Sequence, residues 1–334
     1  MKRILMAGLL ALAPVLASAA TVFKIATVAP DGTTWMKEMR EAAANVKAQT
    51  EGRVEVKYFP GGVMGNDVAV LRKMKLGQLQ GGAFTGGEIS QVQGDIQIYS
   101  LPFLFDDLNE IAYVRKTMDA EVKQRLAAKG IVPLGIAGGG FAYLMSTKPL
   151  RNQHDLRASK VWVPQNDKIA QVAFEQSQVN PIPLPLGDVY TSLQTGLLET
   201  VGTTTSGAII FQWHTKVKYA FDLPLTYVLG VFAVDKRPYD KLSPADRTVV
   251  DREFAQAFQD IELAAAKDNE NAWQTLVKNG VSFVKPDATE HQAWIDVGVR
   301  TRDAMVANGG ISKDLLDKIL ALKAEYQSQQ AAKP

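Results

Sequence analysis

The sequence predicts an α/β protein of two lobes, joined by hinge strands and spanned by one long helix. Three observations carry that expectation. Strand and helix patterns alternate through the first hundred residues, the order in which helices pack on a sheet. A β-rich stretch, Leu225 to Asp235, leads back toward the first half after a second α/β segment, which makes each lobe discontinuous. One amphipathic pattern then starts at Ser243 and continues toward Gly280, far enough to cross both lobes. A chain of 334 residues also suits two cores better than one.

The elements follow in order. Thr21 to Val28 is β-rich and is stopped by Pro30-Asp31-Gly32-Thr33. Trp35 to Ala48 places Trp35, Met39, Ala42, Ala43 and Val46 on one helical face. Arg53 to Phe59 alternates as a strand, Pro60-Gly61-Gly62 turns, and Asn66 to Leu76 is helical. Gly81 to Gly87 holds four glycines in seven positions. They serve either close backbone approach to a ligand or a plain strand end and turn. Leu101-Pro102-Phe103-Leu104-Phe105 reads as an apolar plug in the core.

Ile131 to Ala137 is a strand, and Gly138-Gly139-Gly140 is expected to break it as a hinge before Phe141 to Ser146 resumes. Lys160 to Val163 is a strand, Lys168 to Gln176 a helix, and Asp188 opens a helix ending near Gly196. Ser243-Pro244-Ala245-Asp246 combines a capping serine, proline at the first position and acid in the first turn. The expected boundaries are 20–140 with 226–260 for lobe I and 141–225 with 261–334 for lobe II. The long helix runs from about 244 to 279.

The first residues read as a secretory signal over 1–19, with Lys2 and Arg3 ahead of an apolar run and Ala17-Ser18-Ala19 at the cleavage site. Without Lys2 and Arg3, the 37 basic residues fall to 35 and equal the 35 acidic ones. Such a balance gives no basic surface for nucleic acid. Cysteine is absent, which excludes disulfides, thiolate metal sites and a lipid-bearing cysteine. No later segment is long and apolar enough for a membrane span. The expected location is the periplasm.

No enzyme signature emerges. His154, His214 and His291 stand far apart without metal-ligand spacing. No phosphate-cradling loop or dinucleotide fingerprint follows the first strand. Ser206-Gly207 lacks the glycine that a nucleophile elbow carries two residues earlier. Neither catalysis, cofactor nor metal is expected.

Several segments, in order, carry a resemblance. They are Pro60-Gly61-Gly62-Val63-Met64-Gly65-Asn66-Asp67, the plug Leu101 to Phe105, and Asn180 to Gly196, which reads Asn-Pro-Ile-Pro-Leu-Pro-Leu-Gly-Asp-Val-Tyr-Thr-Ser-Leu-Gln-Thr-Gly. Together they resemble the dicarboxylate-receptor (DctP-type) family of solute-binding proteins of tripartite ATP-independent periplasmic (TRAP) transporters. The resemblance implies a periplasmic binding protein fold whose lobes close on a small organic solute in the cleft. It also implies delivery to TRAP membrane subunits by a receptor that is not itself embedded in the membrane.

Two departures bear on the ligand. Trp162 stands where the family keeps a carboxylate-gripping arginine, and Thr203 falls where it keeps a ligand-touching asparagine. The same alignment puts Val28, Thr85, Ala142 and Leu186 in the cleft, and Phe141 and Trp213 are candidates for an aromatic wall. An indole has no charge to offer a carboxylate, only a flat face and one N–H. Trp162 therefore stacks on a flat solute, covers a cation with its ring, or fills core volume. Glu88 and Glu199, the nearest acids, read as solvated loop charges. A neutral or cationic, partly apolar or planar solute ranks above an organic acid. An acid would need Lys160, Lys168 or backbone N–H groups. An enzyme or ligand sensor on the same scaffold is the alternative of another class.

Overall fold

A computed structural model gives the fold, and the structure describes residues 20–332. The predicted signal segment lies outside the described residues. The strands are β1 (Thr21–Thr27), β2 (Val54–Phe59), β3 (Gly81–Thr85), β4 (Ile131–Ser146), β5 (Trp162–Pro164), β6 (Ile182–Leu184), β7 (Thr200–Thr203), β8 (Tyr219–Phe221), β9 (Thr226–Asp235) and β10 (Ser282–Val284). Eight of them form one sheet in the order β10-β8-β4-β9-β3-β1-β2, with β7 also on β4. The β5–β6 pair is separate and parallel.

β1, β2 and β3 are parallel neighbours, each reached through a helix, as the alternating pattern predicts. β9 returns antiparallel between β3 and β4. β4 is the strand that joins the lobes. Ile131 to Ala142 pair with β9, and Tyr143 to Ser146 pair with β7.

The glycine triplet does not break this strand, contrary to the expectation. β4 is continuous over 16 residues, and the glycines form an irregularity inside it, where the register shifts between Gly138 and Gly140. Their small size has a local cause. A Cβ on Gly138 would stand 1.5 Å from the Tyr227 hydroxyl, and Gly140 has φ +96°. Both conditions reject larger residues.

The long helix is one element, Pro244–Lys278, of 35 residues and about 52 Å at 1.5 Å per residue. Ser243 Oγ accepts the Asp246 N–H at 3.1 Å, closing the predicted cap. The first half buries Val250, Phe254, Phe258 and Ile261 in a core with β1, β4 and β9 residues. Further on, Leu276 sits in a different core with Trp162, Trp213 and Val201. Between the two, Asn269 Nδ2 donates to the Gly139 carbonyl at 2.6 Å. Asn269 Oδ1 accepts from Thr205 Oγ1 and the Ser206 N–H, both at 3.1 Å. One side chain thus ties the β4 crossing to the helix Thr205–Ile210 of lobe II.

The C-terminal helices divide between the lobes. Ala288–Ala307 places Trp294 and Val297 against Leu144, Leu156 and Phe221. Lys313–Ala331 buries Leu315, Leu316 and Ile319 in the same cluster as Ile111, Val114, Met118 and Val122. Those four lie on the helix Leu108–Ala127. The last helix therefore packs on lobe I, whereas the expected boundary at 261–334 gave it to lobe II. Its apolar stripe is completed by a helix distant in sequence, which a reading along the chain does not reveal. The plug behaves as predicted at Leu101, Leu104 and Phe105, all buried. No helix among the described residues is long and apolar enough to cross a membrane.

Candidate functional site

A cavity of about 910 Å³ lies between the lobes, walled by β1, β3, β4 and β9 residues on one side and β5 and β7 residues on the other. The middle of the long helix, including Ala265, Asp268 and Ala272, contributes a further wall. Val28, Thr85, Ala142, Trp162, Leu186, Thr203 and Trp213 all stand on its surface. Phe141 does not. Neighbouring strand residues face opposite ways, so Ala142 meets the cavity while Phe141 packs on Tyr227, with ring centroids 5.9 Å apart.

Lobe II supplies an aromatic wall. Trp162 is 4% exposed and Trp213 1%. Their rings meet edge to face at 5.3 Å and 79°, the arrangement that the ring quadrupole favours. Phe211 lies against Trp213 at 5.6 Å. Trp162 Nε1 donates to the Leu184 carbonyl at 2.9 Å, across the β5–β6 pair. The indole N–H is thus used inside the protein, and what Trp162 presents to the cavity is apolar ring. Wall and core coincide here, because Trp162 also belongs to the buried cluster around Val189, Leu193 and Val201.

Lobe I supplies acids. Asp31, Asp67 and Glu88 face the cavity from this side, Asp167 faces it from lobe II and Asp268 from the long helix. No lysine, arginine or histidine is among the lining residues. Lys160 Nζ is instead bonded to the Gly196 carbonyl at 2.8 Å, and Lys168 Nζ to Gln171 Oε1 at 3.2 Å. Glu199 pairs with Lys148 at 2.6 Å, away from the cavity. Glu88 departs from the solvated loop charge expected of it, being 9% exposed at the start of the short helix Gly86–Ile89.

Three of the acids form a neighbourhood. Asp67 Oδ2 accepts the Thr85 N–H at 3.2 Å. Glu88 Oε2 accepts from Asn166 Nδ2 at 2.7 Å. Asp167 Oδ1 accepts from Gln97 Nε2 at 2.9 Å and from the Ala170 N–H at 3.0 Å. The bonds of Asn166 to Glu88 and Gln97 to Asp167 run between the lobes. Burial pushes the Asp67 carboxyl up to about 7, and the nearby Glu88 adds to this against the Thr85 hydrogen bond. Burial also raises Glu88, with Asp167 adding to the effect and the Asn166 bond opposing it. Asp167 is raised by burial against its own hydrogen bonds. Each shift has the sign of a desolvated carboxylate lacking a cation.

The backbone offers little to an anion. Three helix N-termini of useful length open on the cavity, at Thr34–Gln49, Asp67–Lys75 and Lys168–Gln176. Each already has a protein carboxylate. Asp268 accepts from Thr34 Oγ1 at 3.0 Å, Asp67 occupies the first turn of the second helix, and Asp167 caps the third. A helix end carries about half a positive charge, so a full carboxylate leaves each end net negative.

Trp35 completes the wall on lobe I. It lies over Gly230, where a Cβ would come within 2.8 Å of the ring. Its Nε1 is buried and has no hydrogen-bond partner among the described residues. Sequence reasoning placed Trp35 on the core face of its helix and passed over Asp67 and Asp167. Both acids have ordinary local readings, in a first turn and at an N-cap, which hid their position on the cavity. No group of three or more potential metal-ligating side chains occurs among the described residues.

Comparison with known proteins agrees with this architecture. Residues 25–307 match the family described as bacterial extracellular solute-binding protein, family 7, or DctP. A solute-binding protein of Chromohalobacter salexigens is 27% identical over 80% of this chain and 74% of the relative. The C4-dicarboxylate-binding periplasmic protein DctP of Rhodobacter capsulatus is 26% identical over 82% of both chains. A TRAP periplasmic solute-binding protein from Desulfovibrio salexigens, solved with bound orotic acid, superposes with TM-score 0.84 at 18% identity. The match covers 91% of this chain and 99% of the other. The chain belongs to the DctP family, bacterial extracellular solute-binding protein family 7.

Proposed function

We propose that this protein is the solute receptor of a TRAP transporter, closing its lobes on a small organic solute and presenting it to two membrane subunits. The single observation that carries the reading is the placement of the cavity. It sits where β4, β9 and the long helix pass from one lobe to the other, so a ligand bound there touches both lobes and favours the closed state. The segment 1–19 would direct the chain to the periplasm and be removed.

The ligand differs from those of the two relatives that carry acids in their names. An unpaired carboxylate in a desolvated cleft costs several kcal/mol. Here the arginine position holds Trp162, and among the described residues no cationic side chain lines the cavity. A neutral or cationic solute with an apolar or planar part fits better. Trp162, Trp213 and Leu186 are its proposed apolar contacts, with Thr85, Thr203, Val28 and Ala142 around it.

Two measurements test the receptor reading. The gene should lie beside two genes for membrane subunits, and deleting either should abolish uptake of the solute. Solution scattering should show a smaller radius of gyration at saturation, with bending near Gly138 to Gly140, near Leu223 to Tyr227 and along the long helix. Turnover of a bound compound, with no such genes nearby, overturns the reading in favour of an enzyme.

A further inference from the structure

We propose that the solute is an organic ammonium ion, held by its charged head at Asp67, Glu88 and Asp167 and by its apolar body against Trp162 and Trp213. The inference rests on the receptor reading and narrows it to one ligand class. Its basis is the mismatch between the charge of these acids and the partners that the protein gives them.

Their hydrogen bonds all come from neutral donors: backbone N–H groups, two side-chain amides and the Thr85 hydroxyl. These bonds engage Oδ2 of Asp67, Oε2 of Glu88 and Oδ1 of Asp167. All three residues line the cavity. Asp67 is 4% exposed and lines the cavity, so its carboxyl is withdrawn from bulk water. Charged groups this desolvated are kept where something neutralises them. None of the described cationic side chains forms an ion pair with any of the three. An ammonium head has the complementary inventory, several N–H donors or a methylated positive surface and no acceptor.

The geometry also orders the ligand. Two of the acids stand on lobe I and one on lobe II, joined by the bonds from Asn166 and Gln97. A cation among them draws the lobes together by relieving repulsion across the cleft. The opposite wall is ring surface with its N–H already bonded at Leu184, suited to a hydrocarbon or aromatic body and to a positive charge near a ring face.

The test uses the mature protein and matched probes of opposite charge. Tyramine, agmatine and choline are the ammonium probes. The carboxylate probes are 3-(4-hydroxyphenyl)propanoate, glucuronate and succinate, and 3-(4-hydroxyphenyl)propanamide is the neutral one. Thermal shift screens them and calorimetry measures the binders. At least one ammonium probe should raise Tm, and its affinity should fall tenfold or more in Glu88→Gln and in Asp67→Asn. Ligand-free Tm should not drop in either variant, because each removes a desolvated charge. Carboxylate probes that bind while ammonium probes do not overturn the cation class and leave the receptor reading standing. Equal binding of the neutral amide and tyramine also overturns it, as does affinity unchanged in both variants. Silence from every probe counts against the cation class, and the receptor reading falls with it only if uptake also proves independent of the membrane subunits.

Discussion

The two walls of the cleft are built on different physical terms. The lobe I wall is polar and under-compensated, with buried carboxylates held by neutral donors and an indole N–H without a partner at Trp35. Apart from Asp167, the lobe II wall is apolar and internally satisfied. Trp162 gives its N–H to Leu184, and its ring packs edge-on to Trp213. On the proposed reading, the first wall is arranged to meet a bound solute. The second is a piece of hydrophobic core that happens to face a cavity. Substitutions on the two walls should therefore fail in different ways.

The largest difference is expected at Trp162. Trp162→Ala removes a buried indole from the lobe II core and leaves the Leu184 carbonyl without its donor. Unfolding of the ligand-free protein by denaturant should show a loss of about 3–5 kcal/mol. A loss below about 1 kcal/mol would mean that the ring is wall alone, and the contrast between the walls would collapse. Solute affinity should fall as well, so binding must be measured where the variant remains folded.

Asp67→Asn should act in the opposite direction. The folded carboxyl titrates near 7 against an ordinary value of 3.8, so between those values the folded state holds a proton that the unfolded state has lost. Stability of the ligand-free protein from this group therefore rises as pH falls through 7 and levels off near 4. Comparing pH 8 with pH 5, the wild type should gain on the order of 2 kcal/mol more than Asp67→Asn does. The difference between the two proteins cancels the titrating groups that do not interact with Asp67. Equal pH profiles would show Asp67 to be solvated, and the wall of lobe I to be ordinary surface.

The smallest and sharpest comparison is between two indoles. Trp162→Phe leaves a buried carbonyl without its hydrogen bond, whereas Trp35→Phe removes a donor that had no partner. The first should cost about 1 kcal/mol more than the second. Affinity should respond the other way if the solute accepts a hydrogen bond from Trp35. Equal costs would mean that the Leu184 bond contributes nothing net.

Much of this was legible in the chain. The alternating elements, the returning strand and the capped long helix follow from periodicity and from Ser243-Pro244, and they have the same cause in the structure. The motif segments pointed to the family that the comparison shows, and Trp162 raised the expectation of a different ligand. The hinge glycines were misread in kind. Three glycines in a row favour a break when read locally, but β9 pairs along β4 on both sides of them and holds the strand through the irregularity. The last helix was misassigned because its apolar face is completed by the helix Leu108–Ala127, nearly two hundred residues earlier.

The sequence by itself determined the elements, their caps and the returning strand, because these depend on spacing and residue type over a few turns. Only the tertiary structure decided the charge of the cleft. Asp67, Glu88 and Asp167 lie far apart along the chain or look locally ordinary, and each has a routine reading as a first-turn or capping acid. Folding brings them to one cavity from both lobes, withdraws water, and places Lys160 and Lys168 elsewhere. Desolvation and the distance between charges are properties of the assembled lobes, and no window of sequence contains them.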